Sequence, residues 1–423
     1  MSESEKSEIR KERNRQTLLR AKIAKSPASP SKEDAILPED DFSVNPLYLG
    51  PLTIQTPMLL SPMAGVTNWP FRVLCQRFGG GGMYVAEMIT SRALIAGNEK
   101  AFRLLSFSPE EKIHSLQLYG VNPKAVYLAA KLVLDKVKVD HIGLNFGCPV
   151  PKITRRGGGS ALPWKYDLFA KVVGAAKRAC QGHPIAVTAK IRTGIDEDHK
   201  TYLEAGKIAQ EEGADGVILH ARTCAQYYGG HSNWEFIREL KRSLSIPVIG
   251  NGDIFSGEDA LAMMRETGCD GVAVGRGSQG RPWLFSDIAA AFRGENQVTI
   301  PLLGEVIACI KEHFLMMVDF MEGDEERAAQ AMRSHFGWYL RGYPIGGEAR
   351  SAIMQSKTQA ELFSLLDGLD PTLEPDEEAV ISARGRSGFQ KKVHLPYGWL
   401  DSHSLTEKEE ETLFGLDVLD ASY

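Results

Sequence analysis

Short apolar runs that end in polar or glycine-rich turns recur through the middle of the chain, with stretches of helical periodicity between many of them. Eight such runs stand out: Met58 to Met63, Met83 to Glu87, Ile113 to Leu118, Val139 to Asn145, Ile185 to Ile191, Gly216 to His220, Ile246 to Asn251 and Gly271 to Gly275. Amphipathic stretches such as Lys124 to Val137, Leu168 to Ala179, Tyr202 to Glu212, Trp234 to Ser243 and Ser256 to Thr267 separate them. Strands alternating with helices imply a parallel sheet. Eight repeats in roughly 220 residues fit a closed (β/α)8 TIM barrel better than an open doubly wound sheet, the alternative within the α/β class.

Outside this repeat the pattern changes. From about Leu302 long helical segments, Leu303 to Met321 and Glu325 to Leu340, follow without strand-like runs between them, which predicts a small C-terminal helical domain. The organisation expected is a charged arm over residues 1–40, a barrel over 41–300, a helical domain over 301–366 and an acidic, partly extended tail over 367–423. The arm carries 8 Lys/Arg against 4 Asp/Glu from Met1 to Lys25, interleaved rather than segregated. That composition favours a solvated tail over a dedicated RNA-touching arm and lacks the acid-poor character of a transit peptide.

With 423 residues and 43% hydrophobic content, the chain can build one large domain of about 250 to 300 residues plus appendages. No apolar run approaches the about 18 residues of a membrane span, and no secretory signal is visible, so a monomeric cytoplasmic protein without membrane contact is expected. The six cysteines, Cys75, Cys148, Cys180, Cys224, Cys269 and Cys309, form no CxxC pair. Free thiols are therefore expected, with no metal site. The net charge of -5 gives no global nucleic-acid signature, so an RNA partner would need a local basic patch.

In a barrel the C-terminal strand ends converge on one face, where active sites are built. The residues at those ends include Pro62, Met63 and Ala64, then Glu87, Gln117, Asn145 with Cys148, Lys190 with Arg192, His220 with Arg222, Asn251, Gly252 and Asp253, and finally Gly275 and Arg276. Each has a bland explanation: a lone cysteine is more often buried filler, a lysine a rim charge, a glycine a turn residue. All eight ends being polar or glycine-rich is harder to dismiss. Gly250-Asn251-Gly252-Asp253 and Gly275-Arg276-Gly277 follow the seventh and eighth runs, the usual phosphate position of such barrels. With Gln117 and Lys190 binding the remainder, flavin mononucleotide (FMN) is the leading cofactor. No GxGxxG fingerprint opens the chain, so a nicotinamide donor would have no dedicated Rossmann domain.

The segments Leu60-Ser61-Pro62-Met63-Ala64-Gly65-Val66-Thr67-Asn68, Glu87-Met88, Gln117-Leu118-Tyr119-Gly120, Asn145-Phe146-Gly147-Cys148-Pro149, Lys190-Ile191-Arg192-Thr193-Gly194, Asn251-Gly252-Asp253-Ile254 and Gly275-Arg276-Gly277 occur in order. Together they make the chain, from roughly Leu49 to Leu365, resemble the flavin-dependent tRNA-dihydrouridine synthases, and the bacterial B-type branch most. The stretch Arg333 to Gly342 is similar to that family's helical domain.

The resemblance implies that Pro62, Met63 and Ala64 line FMN, Gln117 and Lys190 bind it, and Asn251, Gly252, Asp253, Gly275 and Arg276 hold its phosphate end, with His220 beside them. It implies hydride delivery from reduced FMN to C6 of a tRNA uracil and proton delivery to C5 by Cys148, with NADPH as the electron donor. Asn145 is expected at the uracil edge, Lys152, Arg155 and Arg156, with Arg341, at the tRNA phosphates, and Arg222 with His220 at the flavin phosphate, the uracil or the tRNA backbone. Two positions depart from the family pattern. Cys224 stands where a second arginine is common, which predicts one fewer RNA-facing charge, and the loop Arg156 to Ala161 is unusually glycine-rich, which predicts a looser or rearranged grip on substrate. Two rivals remain: an FMN-dependent oxidoreductase of a free pyrimidine, similar to dihydroorotate dehydrogenases, and a non-catalytic tRNA-binding protein.

Overall fold

The computed structural model describes residues 42–416 apart from 381, 386 and 387, so the arm expected over residues 1–40 lies outside the described residues. A short antiparallel hairpin, β1 (Leu47–Leu49) and β2 (Leu52–Ile54), comes first. Eight parallel strands follow: β3 (Met58–Leu60), β4 (Met83–Thr90), β5 (Ser115–Tyr119), β6 (His141–Phe146), β7 (Ala186–Arg192), β8 (Gly216–His220), β9 (Val248–Asn251) and β10 (Gly271–Val274). They pair in chain order, and β10 closes onto β3 through Val272 with Met58, Ala273 with Leu59 and Val274 with Leu60. That register leaves no edge and settles the choice between barrel and open sheet.

The barrel interior is stratified. At its lower end Leu47, Leu49 and Ile54 of the hairpin pack among Leu59, Met83, Val85, Ala186, Ile218, Ile249 and Ala273, so apolar side chains plug that end. The sequence reading missed this hairpin, because each strand is only three residues long. Higher in the barrel is a polar layer in which His141 bridges Ser115 Oγ (2.7 Å) and Thr188 Oγ1 (2.8 Å). Burial pulls His141 down to about 3, so it is neutral and serves as a hydrogen-bonding strut.

The expected strand containing Glu87 ended too early: β4 runs on to Thr90, and its register against β5 slips between Val85 and Met88. Such an irregularity re-aims side chains. Here the Glu87 carboxylate accepts the Gly65 N–H at 2.8 Å and pins the turn after β3.

Side-chain caps punctuate the outer helices. Asn68 accepts the Phe71 N–H at the start of Trp69–Gly79, Asn122 accepts the Lys124 and Ala125 N–H groups before Pro123–Lys136, and Ser256 accepts the Asp259 N–H before Gly257–Thr267. Each satisfies a donor that the first helical turn leaves without a partner.

After the barrel, helices Leu303–Phe320, Glu325–Tyr339, Gly347–Gln355 and Gln359–Asp367 bury a core that includes Ile310, Phe314, Met317, Phe336 and Leu362. Leu74 and Trp283, from helices and turns around the barrel, join this core. The two parts meet closely at Gly280, whose φ is +63 and where a Cβ would collide with the backbone of Trp338 and Tyr339.

Farther along, short helices Glu377–Val380 and Glu407–Leu416 lie within the stretch read as acidic and extended, while residues 388–396 form neither helix nor strand. This tail returns to the barrel. Trp399 is buried, its indole Nε1 donates to Ala161 O at 3.0 Å, and Lys165 Nζ donates to the carbonyls of Ser402 (2.9 Å) and Ser404 (3.1 Å).

Gly280→Ala tests the tightness of the junction. Positive φ and backbone collision together should destabilise the protein by about 1–3 kcal/mol, read as a lower urea midpoint. An unchanged midpoint would show that the helical part is held elsewhere.

Candidate active site

The upper strand ends surround a cavity of about 490 Å³, inside the range of about 300–1,000 Å³ typical of small-molecule sites. Its wall includes Pro62, Met63, Ala64, Asn145, Cys148, Lys190, His220, Arg222, Asn251, Gly252, Asp253, Gly275 and Arg276, so thirteen sequence-predicted residues meet in one place. Gln117 does not line it. Its side chain is buried and accepts from Asn145 Nδ2 at 2.7 Å, so it orients Asn145 from behind. Lys152, Arg155 and Arg156 also lie off the wall, exposed on the loop that follows Cys148. Arg341 donates to Ala383 O at 2.5 Å and is engaged with the tail.

The Cys148 turn is built by Asn145. Its side-chain oxygen accepts the N–H groups of Gly147 (3.2 Å) and Cys148 (3.1 Å), fixing the thiol just past the end of β6. The Asn145 carbonyl is thus committed to the turn and one amide hydrogen to Gln117. One N–H remains for a ligand. On the other side Ser160 donates to Cys148 O through both its N–H (3.1 Å) and its hydroxyl (3.0 Å).

The glycine-rich loop packs tightly. A Cβ on Gly157 would strike the Trp399 indole, one on Gly158 the Tyr119 hydroxyl and one on Gly159 the Cys148 carbonyl, and all three glycines are buried. The glycines permit close approach, not slack. Cys224 is likewise fully buried, with its sulfur toward Pro149 O at 3.9 Å.

Charge dominates the rest of the wall. Lys190, Arg192, Arg222 and Arg276 line it together with a single carboxylate, Asp253. Asp253 accepts from Arg222 Nη2 (2.8 and 2.7 Å) and Arg276 Nη2 (3.2 Å), and also takes the Ser232 N–H at 2.8 Å. Its side chain therefore organises arginines and is not itself a phosphate donor. Arg222 Nη1 is buried without a hydrogen-bond partner, a group that an anion would satisfy. Gly275 leaves open space, with Met63 Sδ and Ser61 Cβ at 3.9 Å as the nearest atoms to a Cβ placed there. His220 is pushed well below its ordinary value by burial and by the surrounding cations, so it is a neutral hydrogen-bonding ring.

Sequence reasoning left several wall residues unassigned. Arg192 is buried, with Nε donating to Gly147 O at 2.8 Å and Nη1 to the carbonyls of Thr223 (2.8 Å) and Tyr227 (2.9 Å). It ties the Cys148 turn to the loop after β8, and its place two residues after Lys190 on the same strand was the available signal. Tyr227 and Asp253 both adopt positive φ (53 and 56), an uncommon state for non-glycine residues that clusters at functional sites. Ser334 and Trp338 reach the wall from the helical part, and no local sequence signal announces that contact.

The Cys148 thiol is raised above its ordinary value, chiefly by burial, although Arg192 and the Val150 N–H oppose the shift. A protonated, partly accessible thiol beside a cationic anion pocket is arranged to give a proton, with Arg192 able to stabilise the thiolate left behind.

A parallel barrel with this thiol and anion pocket at its open end is the architecture of a small-molecule or nucleobase-modifying enzyme. Residues 59–374 match the family model described as dihydrouridine synthase (Dus), and the chain belongs to that family. A probable tRNA-dihydrouridine synthase of Mycobacterium tuberculosis is 48% identical over 361 residues, covering 84% of this chain and 92% of that protein. Proteins named tRNA-dihydrouridine synthase B from Xanthomonas campestris and Pseudomonas aeruginosa are 35% and 36% identical, covering 77% and 72% of this chain and 96% and 89% of theirs.

Burial, and Arg192 to a lesser extent, pulls Lys190 from 10.5 down to about 7, with Asn251 Oδ1 as its acceptor at 3.0 Å. Between those values the unfolded chain holds the proton more readily than the fold does, so the ligand-free fold gains stability as pH rises through that window. Lys190→Met should accordingly raise the urea midpoint of ligand-stripped protein at pH 7, and the advantage should fade as pH approaches 10. No gain at pH 7 would mean that the lysine is already compensated.

Proposed function

We propose that the protein reduces the C5–C6 bond of uridines in tRNA, using FMN bound in the cavity and a proton from Cys148. The observation that carries this reading is a thiol whose hold on its proton is strengthened by burial, on the same wall as four cations, with Asp253 the only carboxylate among the wall's described residues. Residues of the wall fit FMN. Pro62, Met63 and Ala64 would line its ring, Lys190 would meet the ring's electron-rich edge, and the Asn251–Gly252–Asp253 and Gly275–Arg276 turns with Arg222 would hold its phosphate. When bound, FMN supplies a hydride to C6 of the uracil.

Hydride arrival at C6 drives electron density toward C5 and the C4 carbonyl. Cys148 then gives its proton to C5, and Arg192 offsets the negative charge left on sulfur. Asn145 keeps the thiol aimed, and its remaining N–H is placed for a uracil oxygen. A uridine stacked in folded RNA is out of reach, so it must be extruded into the cavity. Lys152, Arg155 and Arg156, exposed beside the thiol loop, are assigned to phosphates of the incoming strand.

The electron donor in this reading is NADPH, which meets FMN through the same opening. Among the described residues no helix is long and apolar enough to cross a membrane, and a monomeric enzyme working on tRNA in the cytoplasm agrees with that.

Two measurements test the assignment. Mass spectrometry of tRNA from cells lacking the gene, with and without its restoration, should show dihydrouridine lost and regained at defined positions. Purified Cys148→Ala should keep bound yellow flavin and lose dihydrouridine formation by about 10²–10⁴-fold. An unchanged dihydrouridine map with no redundant enzyme present would favour a free-pyrimidine oxidoreductase or a non-catalytic protein, and full activity of the alanine variant would remove Cys148 as the acid.

A further inference from the structure

The segment from Gly388 to Trp399 lies beyond the family-matched residues 59–374, yet it is pinned beside the cavity at both ends. At one end Lys391 N donates to Ala225 O at 2.8 Å, and Lys391 Nζ lies 4.9 Å from the ring centroid of Tyr227, a residue of the cavity wall. At the other end Trp399 fills the space over Gly157 and donates to Ala161 O at 3.0 Å, in the loop that follows Cys148. Val393 and Leu395 pack inward against the barrel core between these anchors.

With the inward face and Trp399 so occupied, two of the segment's rings point the wrong way for packing. Phe389 is 93% exposed and Tyr397 102% exposed, the most exposed large hydrophobics among the described residues. They flank two exposed lysines, Lys391 and Lys392, and Tyr397 stands two residues from Trp399, which seats on the loop bearing Arg155 and Arg156. A protein-docking patch would group its apolar atoms into one contiguous area. Rings alternating with cations are instead the surface that single-stranded nucleic acid uses, bases stacking on the rings and phosphates meeting the cations.

We propose that residues 388–399 form an RNA-binding strap at the mouth of the cavity, in which Phe389 and Tyr397 stack on unpaired bases near the target uridine while Lys391 and Lys392 meet the backbone. The proposal rests on the function proposed above and adds a substrate contact contributed by the tail. An extruded uridine leaves its neighbours partly unstacked, and exposed rings beside the pocket would replace the lost stacking.

The test compares wild-type full-length holoenzyme with a Phe389→Ala/Tyr397→Ala double variant, using unmodified tRNA as the probe. Both side chains are exposed, so the thermal midpoint should not move. The expected result is a Kd and KM for tRNA raised about fivefold or more, with the rate of flavin reduction by NADPH without tRNA unchanged and turnover at saturating tRNA close to wild type. Lys391→Gln/Lys392→Gln should also weaken binding and flatten its salt dependence. An unchanged tRNA Kd in the aromatic double variant, while the wild type forms dihydrouridine normally, would overturn the strap and leave the function standing. A concentration-dependent wild-type dimer abolished by that variant, with tRNA Kd unchanged, would overturn it in favour of a second copy of the chain. Failure of the wild type to form dihydrouridine in tRNA from the deletion strain would instead remove the functional reading.

Discussion

Unbalanced positive charge at the closed-in top of the barrel is the constraint around which the rest of the structure is arranged. Lys190, Arg192, Arg222 and Arg276 are brought together with Asp253 as the only carboxylate on the wall. Burying cations is costly unless they are paired and hydrogen-bonded. The chain compensates with backbone carbonyls: Arg192 takes three, from Gly147, Thr223 and Tyr227, and Arg222 takes those of Gly229 and Gly230. These bonds draw the loops after β6 and β8 over the strand ends, so the electrostatic demand of the site also shapes the backbone that surrounds it. Lys190 has a neutral amide as its acceptor, and burial, with Arg192 second, lowers its proton affinity.

The thiol depends on the same network. Arg192 holds the carbonyl of Gly147, Asn145 holds the N–H groups of Gly147 and Cys148, and Ser160 holds the carbonyl of Cys148. The turn is therefore fixed at both its donors and its acceptors before any substrate arrives. Glycines at 157–159 let the following loop fold back under the cysteine, where larger residues would strike Trp399, Tyr119 or the Cys148 carbonyl itself. A composition that reads as looseness in one dimension thus becomes close packing in three.

Period and punctuation made the barrel legible. Each strand end carried a polar or glycine-rich break, and the convergence of those breaks is a consequence of closure, so thirteen of the seventeen site residues expected from sequence share one cavity wall. The exceptions are informative. Gln117 has the right strand and height but its amide is used on Asn145, a pairing that depends on the lateral register of β5 and β6. The Asp253 carboxylate is spent on two arginines, and Cys224 turns inward, because side-chain direction in a loop follows from neighbours remote in sequence. Trp338 and Trp399 reach the catalytic region from more than 180 residues downstream of Cys148, a contact that no local window records. The β1–β2 hairpin was too short to show a period.

That hairpin has a bearing on how traffic through the molecule is organised. Because Leu47, Leu49 and Ile54 stopper the lower end of the barrel, the cavity at the upper rim faces one way only. On the proposed function, a nicotinamide donor and a nucleobase must approach the same face of one bound group, each in the other's absence. On that function, one opening shared by two visitors would make them take turns, the donor leaving before the RNA enters.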